Sequence, residues 1–284
     1  MPPGTAEIVQ DHRGTFNRRF ALRLRDGALV ESVLYRGETL CVSCQVGCAV
    51  RCPFCASGAN GLGRSLDASE IAAQVDVVEA LLRGEGAPMF RGVTLSGIGE
   101  PLHANDATRG FLADARRRNL RVTLTTSGGP VARLRDWLTT EPHQGITISV
   151  HAGTEAVRAR MVPHGPDLAS LFGVLEELVP KLSQGRKKRT ALAYLVIAGE
   201  NDDMTEIDAF LERTRGLGLF VHLYAYNPVE SSDCRAVSRE RYDAIHARMI
   251  AAGLVVRRSA QARIEANGGC GTLVALRTQQ GQPR

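Results

Sequence analysis

The sequence lacks the long apolar runs of membrane proteins. No apolar run approaches the ~18 residues that a membrane-spanning helix needs, and the amino terminus does not have the pattern of a signal peptide. We therefore expect a cytoplasmic protein with no membrane partner. In a reducing compartment its seven cysteines point to ligands or catalysis rather than to disulfide bridges.

Length and charge set only broad limits on the protein. A chain of 284 residues can form one large α/β domain or two smaller ones. The formal net charge of +5 suits an anionic partner such as RNA, although many basic proteins bind no nucleic acid.

The amino-terminal region is predicted to form a β-hairpin. Residues 1–14 carry no periodicity and are expected to be a loose arm. Residues 15–25 alternate apolar and basic side chains, which is typical of a half-buried strand with a basic face. A turn at Asp26 and Gly27 separates this strand from a second one at residues 29–35.

From residue 39 onward the pattern of strand, loop and helix repeats about six times. Such repetition predicts a parallel sheet closed or nearly closed into a barrel. The chain is thus predicted to be an α/β protein, with the arm and hairpin in residues 1–36 and a partial (β/α)6 barrel in residues 37–284. The predicted strands span residues 39–46, 92–96, 121–125, 145–150, 189–197 and 219–226, with an edge strand at 254–258. The predicted helices span residues 67–82, 106–118, 131–138, 168–182, 205–217 and 238–252.

Three cysteines, Cys48, Cys52 and Cys55, occupy one loop with the spacing C-x3-C-x2-C. Thiolates are the ligands of soft metals and iron-sulfur clusters, and three of them leave the fourth iron of a [4Fe-4S] cluster open for a cofactor. The alternative is a small zinc ribbon whose ligands are two CxxC pairs, Cys41 with Cys44 and Cys52 with Cys55. The spacing disfavours a zinc ribbon, since the two pairs are separated by seven residues where zinc knuckles are usually separated by ~15 to 20, and Cys48 would be unused.

The cysteine loop resembles the cluster loop of radical S-adenosylmethionine (SAM) enzymes, which has an aromatic residue, here Phe54, before its last cysteine. The wider stretch of residues 39–48 resembles more narrowly the RlmN/Cfr family of radical SAM RNA methyltransferases. The resemblance implies a radical SAM barrel that binds a [4Fe-4S] cluster and SAM. It also implies a reducing electron-transfer protein, such as flavodoxin or ferredoxin, as a partner.

The resemblance extends to loops that follow the other predicted strands. The loop Gly-Ile-Gly-Glu-Pro-Leu of residues 97–102 is weak evidence of a binding site when taken alone, because it can be a simple turn. A lone histidine at a strand end, such as His151, more often has a structural role than a ligand-binding one. This loop, Ser-Val-His-Ala at residues 149–152 and Asn-Pro at residues 227–228 together resemble the SAM site of the family. The family usually has serine where this chain has Thr125. The implied SAM-binding residues are Gly99, Glu100, Thr125, Ser149, Val150, His151 and Asn227.

The resemblance implies an adenine-C2 methyltransferase acting on 23S rRNA or tRNA through an S-methylcysteine. One SAM methylates Cys270, and a second is cleaved to a 5′-deoxyadenosyl radical that takes hydrogen from the S-methyl group. The resulting carbon radical adds to the base. Glu31 then accepts the proton of the adduct, and Cys41 forms a disulfide with Cys270 that releases the product. Without the resemblance to the family, the sequence favours an exposed charge on a strand for Glu31 and a buried structural cysteine for Cys270.

Some features depart from the family and leave the substrate open. The family carries an additional amino-terminal domain that helps to hold RNA, and residues 260–264 and 268–269 differ from its pattern. The basic run of residues 186–189 can contact phosphates or be plain solvated surface. Two alternatives therefore remain: the same methyl transfer to an sp2 carbon of a non-RNA substrate, and a noncatalytic cluster or zinc protein that binds nucleic acid. No role is assigned to Cys44 or Cys234.

Overall fold

The computed structural model describes residues 5–265, 268–269 and 271–274. Within this part of the chain, ten strands form one sheet in the order β1-β2-β3-β4-β7-β8-β9-β10-β11-β12, and β5 pairs with β6 in a second sheet. The strands are β1 (Ala6–Arg13), β2 (Asn17–Leu24), β3 (Leu29–Tyr35), β4 (Thr39–Val42), β5 (Gln45–Gly47), β6 (Leu62–Ser65), β7 (Gly92–Leu95), β8 (Arg121–Thr126), β9 (Gly145–Ser149), β10 (Thr190–Val196), β11 (Phe220–Ala225) and β12 (Val256–Arg258).

The predicted barrel is confirmed. Strands β4, β7, β8, β9, β10 and β11 pair in parallel in sequence order, and the predicted edge strand follows as β12. The register places Cys41 opposite Thr94, which in turn lies opposite Thr123. Residues in register share one face of a sheet, so a row of polar side chains lines the inner face of the barrel. Apolar neighbours such as Leu40 and Leu95 point to the other face and are fully buried.

Eight helices within the described residues surround the sheet. The capping box predicted at Asp67 and Glu70 is present, since each side chain accepts from the backbone N–H of the other. The six predicted helices are confirmed, and two short helices, α4 and α6, were not expected. The helices are α1 (Ala68–Gly84), α2 (Asn105–Arg117), α3 (Val131–Thr139), α4 (Glu155–Met161), α5 (Leu168–Leu178), α6 (Gln184–Lys187), α7 (Met204–Thr214) and α8 (Arg239–Ala251). No helix in the described part is long and apolar enough to cross a membrane.

The amino-terminal strands differ from expectation. The hairpin of β2 and β3 is confirmed, but the expected loose arm contains β1, which pairs antiparallel with β2. On the expected basic face of β2, Arg19 and Arg23 pair with Glu31 and Glu7. Arg18 lies on the opposite face with Phe20 and is buried, and its guanidinium binds the carboxylates of Asp11 and Glu85 at 2.5 and 2.7 Å. Strand β3 continues the same sheet into β4, with Val33 opposite Cys41. The domain boundary at residue 36 stays a prediction.

The strand predicted over residues 39–46 is interrupted. It ends at Val42, because the N–H groups of Cys44 and Gln45 both donate to the carbonyl of Ile98 and turn the chain away from the sheet. Residues Gln45–Gly47 then pair antiparallel with β6. This small second sheet carries the cysteine loop.

Candidate active site

The three cysteines lie together at the carboxyl end of the barrel strands. Cys48, Cys52 and Cys55 are half-buried, and the N–H of Cys55 donates to the carbonyl of Cys52 at 3.1 Å. Burial raises the pKa of Cys48 to about 12 and that of Cys52 well above its usual value, and the neighbouring thiols act in the same direction. Cys48 and Cys52 therefore hold their protons until a soft metal displaces them.

The loop has a fixed exit from β5. Gly47 has a φ of +80°, and a Cβ atom there would lie 1.9 Å from the carbonyl oxygen of Gly61, so the position requires glycine. The N–H of Cys48 donates to that same oxygen at 3.1 Å. The β5–β6 sheet therefore sets where the first cysteine begins the loop.

Glu100 joins two neighbouring strand ends. Its buried carboxylate accepts from the N–H of Leu102 at 3.0 Å, the hydroxyl of Thr126 at 2.6 Å and the N–H of Ser127 at 2.7 Å. Gly99, with a φ of +110°, packs against Gln45, whose Cβ would lie 2.7 Å from a Cβ at this position. Both residues thus fix the loop after β7. Their predicted contacts with SAM stay a prediction.

His151 is buried and neutral. Burial lowers its pKa to about 3, and Nδ1 accepts from the N–H of Leu195 at 3.0 Å. The proton of the neutral ring is therefore on Nε2, which leaves an N–H donor. Phe54 of the cysteine loop packs edge-on against the ring, with 5.4 Å between centroids.

Two adjacent cavities connect the cysteine loop with the barrel. The smaller, about 140 Å³, is lined by the predicted SAM-binding residues Ser149, His151 and Asn227 together with Cys55. The larger, about 290 Å³, is lined by Cys41, Cys55, Ser96, Gly268, Gly269 and Gly271, among others. Cys55, Arg263 and Gly271 border both. Thr125 and Val150 belong to the same strand ends but line neither cavity.

The predicted reactive residues lie around the larger cavity as far as the structure describes them. Cys41 is on its wall, and Val33, two residues after Glu31 and on the same strand face, also lines it. The buried carboxylate of Glu31 accepts from the N–H of Val274 at 2.8 Å and from Arg19 at 3.1 Å. Burial raises the pKa of Glu31, while Val274 and Arg19 act in the opposite direction. Cys270 lies outside the described residues.

Arg158 is a buried cation that the sequence did not single out for a role. Its guanidinium donates to four carbonyls, those of Ser149, Val150, Ser127 and Pro166, at 2.7 to 3.0 Å. It ties together the ends of β8 and β9, which carry predicted SAM-binding residues. Burial lowers the pKa of Arg158 to about 10, and the neighbouring side chains of Cys52 and Glu100 act in the opposite direction. In the sequence, this region is marked by residues 158–163, which continue the resemblance to the family.

The donor set fits a cluster better than a single metal ion. The described residues include no group of three or more His, Cys, Asp or Glu side chains arranged to hold one ion, as a zinc ribbon would. A [4Fe-4S] cluster distributes its thiolates over different irons, so its ligands need not converge on one point. Two buried hydroxyls at the same strand ends, Ser127 Oγ and Tyr226 Oη, have no partner among the described residues. A polar cofactor there would supply one.

The basic run of residues 186–189 lies elsewhere. It precedes β10, at the opposite end of the parallel strands from the cysteine loop. Arg186 donates to the carbonyls of Leu138 and Glu141 at 3.1 Å, which closes the end of α3. The run therefore does not face either cavity.

Comparisons with known proteins found relatives by sequence and by structure. The model of the radical SAM superfamily matches residues 42–211. The chain is 32% identical to the dual-specificity RNA methyltransferase RlmN of Sorangium cellulosum over 91% of its own length and 77% of that protein. It is 34% identical to RlmN 1 of Myxococcus xanthus, over 77% of this chain and 62% of the relative. A crystal structure of a radical SAM methyltransferase from Sphaerobacter thermophilus superposes with a TM-score of 0.83 at 30% identity, over 94% of this chain and 81% of the other.

Proposed function

Because the chain belongs to the RlmN family of radical SAM RNA methyltransferases, we propose that it methylates an adenine carbon, C2, of rRNA or tRNA. The reaction proceeds through an S-methylated Cys270. The cytoplasm, where these RNAs and reducing electron carriers such as flavodoxin or ferredoxin are found, is the proposed site of action.

One observation carries the proposal. Cys41, Cys55 and the residues on either side of position 270 line the same cavity of about 290 Å³. The proposed scheme needs a cluster ligand, a resolving thiol and the methyl-carrying cysteine around one substrate. A cavity of this size is at the lower end of those that bind small molecules, which suits a single nucleobase.

The cluster and SAM would be bound by side chains of this protein. Cys48, Cys52 and Cys55 would hold the cluster, and Glu100, Ser149, His151 and Asn227, with Gly99, Thr125 and Val150, would bind SAM. When bound, the cluster and SAM supply one-electron chemistry, the reductive cleavage of SAM. Arg158 holds the ends of β8 and β9 in register for SAM and contributes a positive charge near Cys52.

The remaining steps belong to three side chains. Cys270 carries the methyl group to the base. The radical adduct then loses one electron, which the one-electron couple of the cluster would accept, and one proton, which Glu31 accepts. The thiolate of Cys41 then attacks the sulfur of Cys270, so that a disulfide forms, the bond between sulfur and the transferred carbon breaks, and that carbon keeps the bonding electrons and takes up a proton to become the methyl group. The raised pKa of Glu31 suits a proton acceptor, because a stronger base takes the proton more readily.

The test is an anaerobic incubation of the reconstituted enzyme with methyl-labelled SAM, reductant and bulk RNA, followed by mass spectrometry of nucleosides and protein. We expect 2-methyladenosine in the RNA and a methylated Cys270 in the protein. Cys270→Ala is expected to abolish methyl transfer while SAM is still cleaved. Methylation of RNA by that variant at the wild-type rate would refute the two-cysteine scheme. Methylated Cys270 without a modified nucleoside would refute RNA as the substrate.

A further inference from the structure

The segment that precedes Cys270 is bound to the amino-terminal strands through one carboxylate. Glu265 accepts hydrogen bonds from three successive backbone N–H groups, those of Thr15 at 2.5 Å, Phe16 at 3.2 Å and Asn17 at 2.9 Å. Successive N–H groups that converge on one anion form a concave binding site, and hydrogen bonds to a charged acceptor are the stronger kind. The turn between β1 and β2 is therefore a receptor for the Glu265 side chain.

Two further features make this contact specific. A Cβ atom at Gly14 would lie 2.4 Å from Oε1 of Glu265, so the turn has space for the carboxylate only because residue 14 is glycine. The buried side chain of Asn17 donates in the other direction, to the carbonyls of Ala262 at 2.6 Å and Gly268 at 3.2 Å. The turn and the segment thus bind each other reciprocally.

The backbone of Glu265 continues the connection toward the candidate site. Its carbonyl accepts from the N–H of Gly269 at 3.0 Å and from the side-chain amide of Asn227 at 3.0 Å. Gly269 lines the larger cavity, and Asn227 lines the smaller one. Glu265 therefore connects the amino-terminal turn to residues that border both cavities.

Such an anchor matters because the segment is rich in glycine. Gly268, Gly269 and Gly271 flank position 270, and glycine loses more conformational freedom on ordering than any other residue. A loop so rich in glycine adopts one conformation beside a cavity only if contacts at both of its ends fix it there. Beyond position 270 it is held by the cysteine loop, since Ala56 N–H and Ser57 Oγ donate to the carbonyls of Gly271 and Leu273 at 2.9 Å.

We propose that Glu265 is a positioning residue that holds the Cys270 segment over the larger cavity. The inference rests on the proposed function, in which Cys270 carries the methyl group. The carboxylate itself contacts neither cavity and acts through the backbone of the segment.

The test compares Glu265→Gln with the matched control Glu7→Gln in the reconstituted enzyme. Glu7 also lies on the amino-terminal sheet, where its exposed carboxylate pairs with Arg23 at 3.2 Å. Glutamine nearly keeps the shape of glutamate but loses the charge and places an amide donor against backbone N–H groups. We expect hydrogen exchange at residues 15–17 and 268–269 to become roughly tenfold faster in Glu265→Gln and to stay unchanged in Glu7→Gln.

Kinetics separate positioning from general stabilisation. Glu265→Gln is expected to lower kcat for methyl transfer roughly tenfold, while the KM for SAM, the iron content and the rate of SAM cleavage stay at wild-type values. Glu265→Asp, which restores the charge, is expected to recover part of the loss. A fall in iron content and melting temperature with unchanged kcat per cluster would overturn the proposal, as would wild-type exchange at residues 15–17.

A second variant covers the case in which Glu265→Gln does not fold. Gly14→Ala keeps the Glu265 side chain but places a Cβ atom 2.4 Å from its Oε1, so it is expected to displace the carboxylate and to accelerate exchange at residues 268–269. Unchanged exchange there would contradict the proposal. The exchange measurement needs no RNA turnover, so an enzyme that fails to methylate RNA would refute the proposed function without deciding the role of Glu265.

Discussion

The thiol of Cys41 lies 3.2 Å from the hydroxyl of Ser96, at the carboxyl end of the neighbouring parallel strand. Either group can donate in this pair. When Ser96 donates, it stabilises a thiolate at Cys41, and the thiolate is the form that attacks a sulfur atom. The pair lies on the wall of the cavity that is also bordered by Gly269 and Gly271. A thiol that attacks the sulfur of Cys270 would need to lie on the wall of this cavity, beside a hydrogen-bond donor such as Ser96.

The first prediction concerns Cys41→Ala. The variant lacks the thiol that releases the product, so we expect a covalent adduct of protein and RNA to accumulate, seen as a shifted band on a denaturing gel with labelled RNA. Cys234→Ala is the matched control, because Cys234 is a half-buried free cysteine that lines neither cavity. Free RNA alone, with turnover equal to that of the control, would remove Cys41 from the mechanism.

The second prediction concerns Glu31→Gln. The variant keeps an acceptor for the N–H of Val274 but cannot take a proton, so we expect kcat for methyl transfer to fall by ~10² or more. SAM cleavage should continue. If the variant methylates RNA at the wild-type rate, another group accepts the proton.

The pH dependence follows from the direction of the Glu31 shift. The carboxylate must be deprotonated to act as a base, and its pKa lies above the ordinary value of 4.5. The wild-type rate should therefore fall as the pH is lowered, beginning at a higher pH than for an ordinary glutamate, and should level off above the folded-state pKa. The residual rate of Glu31→Gln should lack this step. A wild-type profile that falls only near pH 4.5 would contradict the assignment.

Much of the barrel could be predicted because its parallel strands are short segments with buried apolar side chains at alternate positions, separated by amphipathic helices. Strand β1 has no such signal. It is an edge strand that is largely exposed and is held by its pairing with β2. Strands β5 and β6, with three and four residues, are too short for periodicity and depend on the glycine at position 47.

The candidate site also contains residues that the sequence predicts and residues that it does not. The cluster ligands are close together in sequence, so their spacing is readable. The contacts of Glu265 join residues about 250 positions apart, and Arg158 binds backbone carbonyls, which every residue has. Neither leaves a local pattern. The role of Arg158, whose guanidinium donates to backbone carbonyls within the described part of the chain, is recognisable only once the strand ends are placed.

The third prediction concerns the stability provided by Arg158. Arg158→Met leaves four carbonyls, two in buried and two in partly buried hydrogen bonds, without this donor, so we expect the free energy of unfolding to fall by about 3 kcal/mol or more in urea titrations. Arg158→Lys should be nearly as damaging, since one ammonium group cannot replace a planar guanidinium with five donors. Arg160→Met, on the exposed side of α4, is the control and should change stability by less than ~0.5 kcal/mol. Equal stabilities of Arg158→Met and Arg160→Met would show that the carbonyls find other donors.

The last prediction concerns Arg263, whose guanidinium lies over two tyrosine rings, 4.5 Å from the centroid of Tyr224 and 5.7 Å from that of Tyr35. Arg263 borders both cavities, so its positive charge lies where an anionic substrate would enter. We expect Arg263→Met to raise the KM for RNA roughly tenfold without changing SAM cleavage, and to lower the slope of log affinity against log salt by about one, as the loss of one phosphate contact does.

Arg258→Met is the control for Arg263, because Arg258 lies over Tyr242 and pairs with Asp243, outside both cavities. Its KM for RNA should stay at the wild-type value. A higher KM for Arg263→Met with an unchanged salt slope would mean that the guanidinium contacts the base rather than a phosphate. An unchanged KM would show that RNA does not reach the cavities past Arg263, and the entry of the substrate would then have to be sought on another side of the barrel.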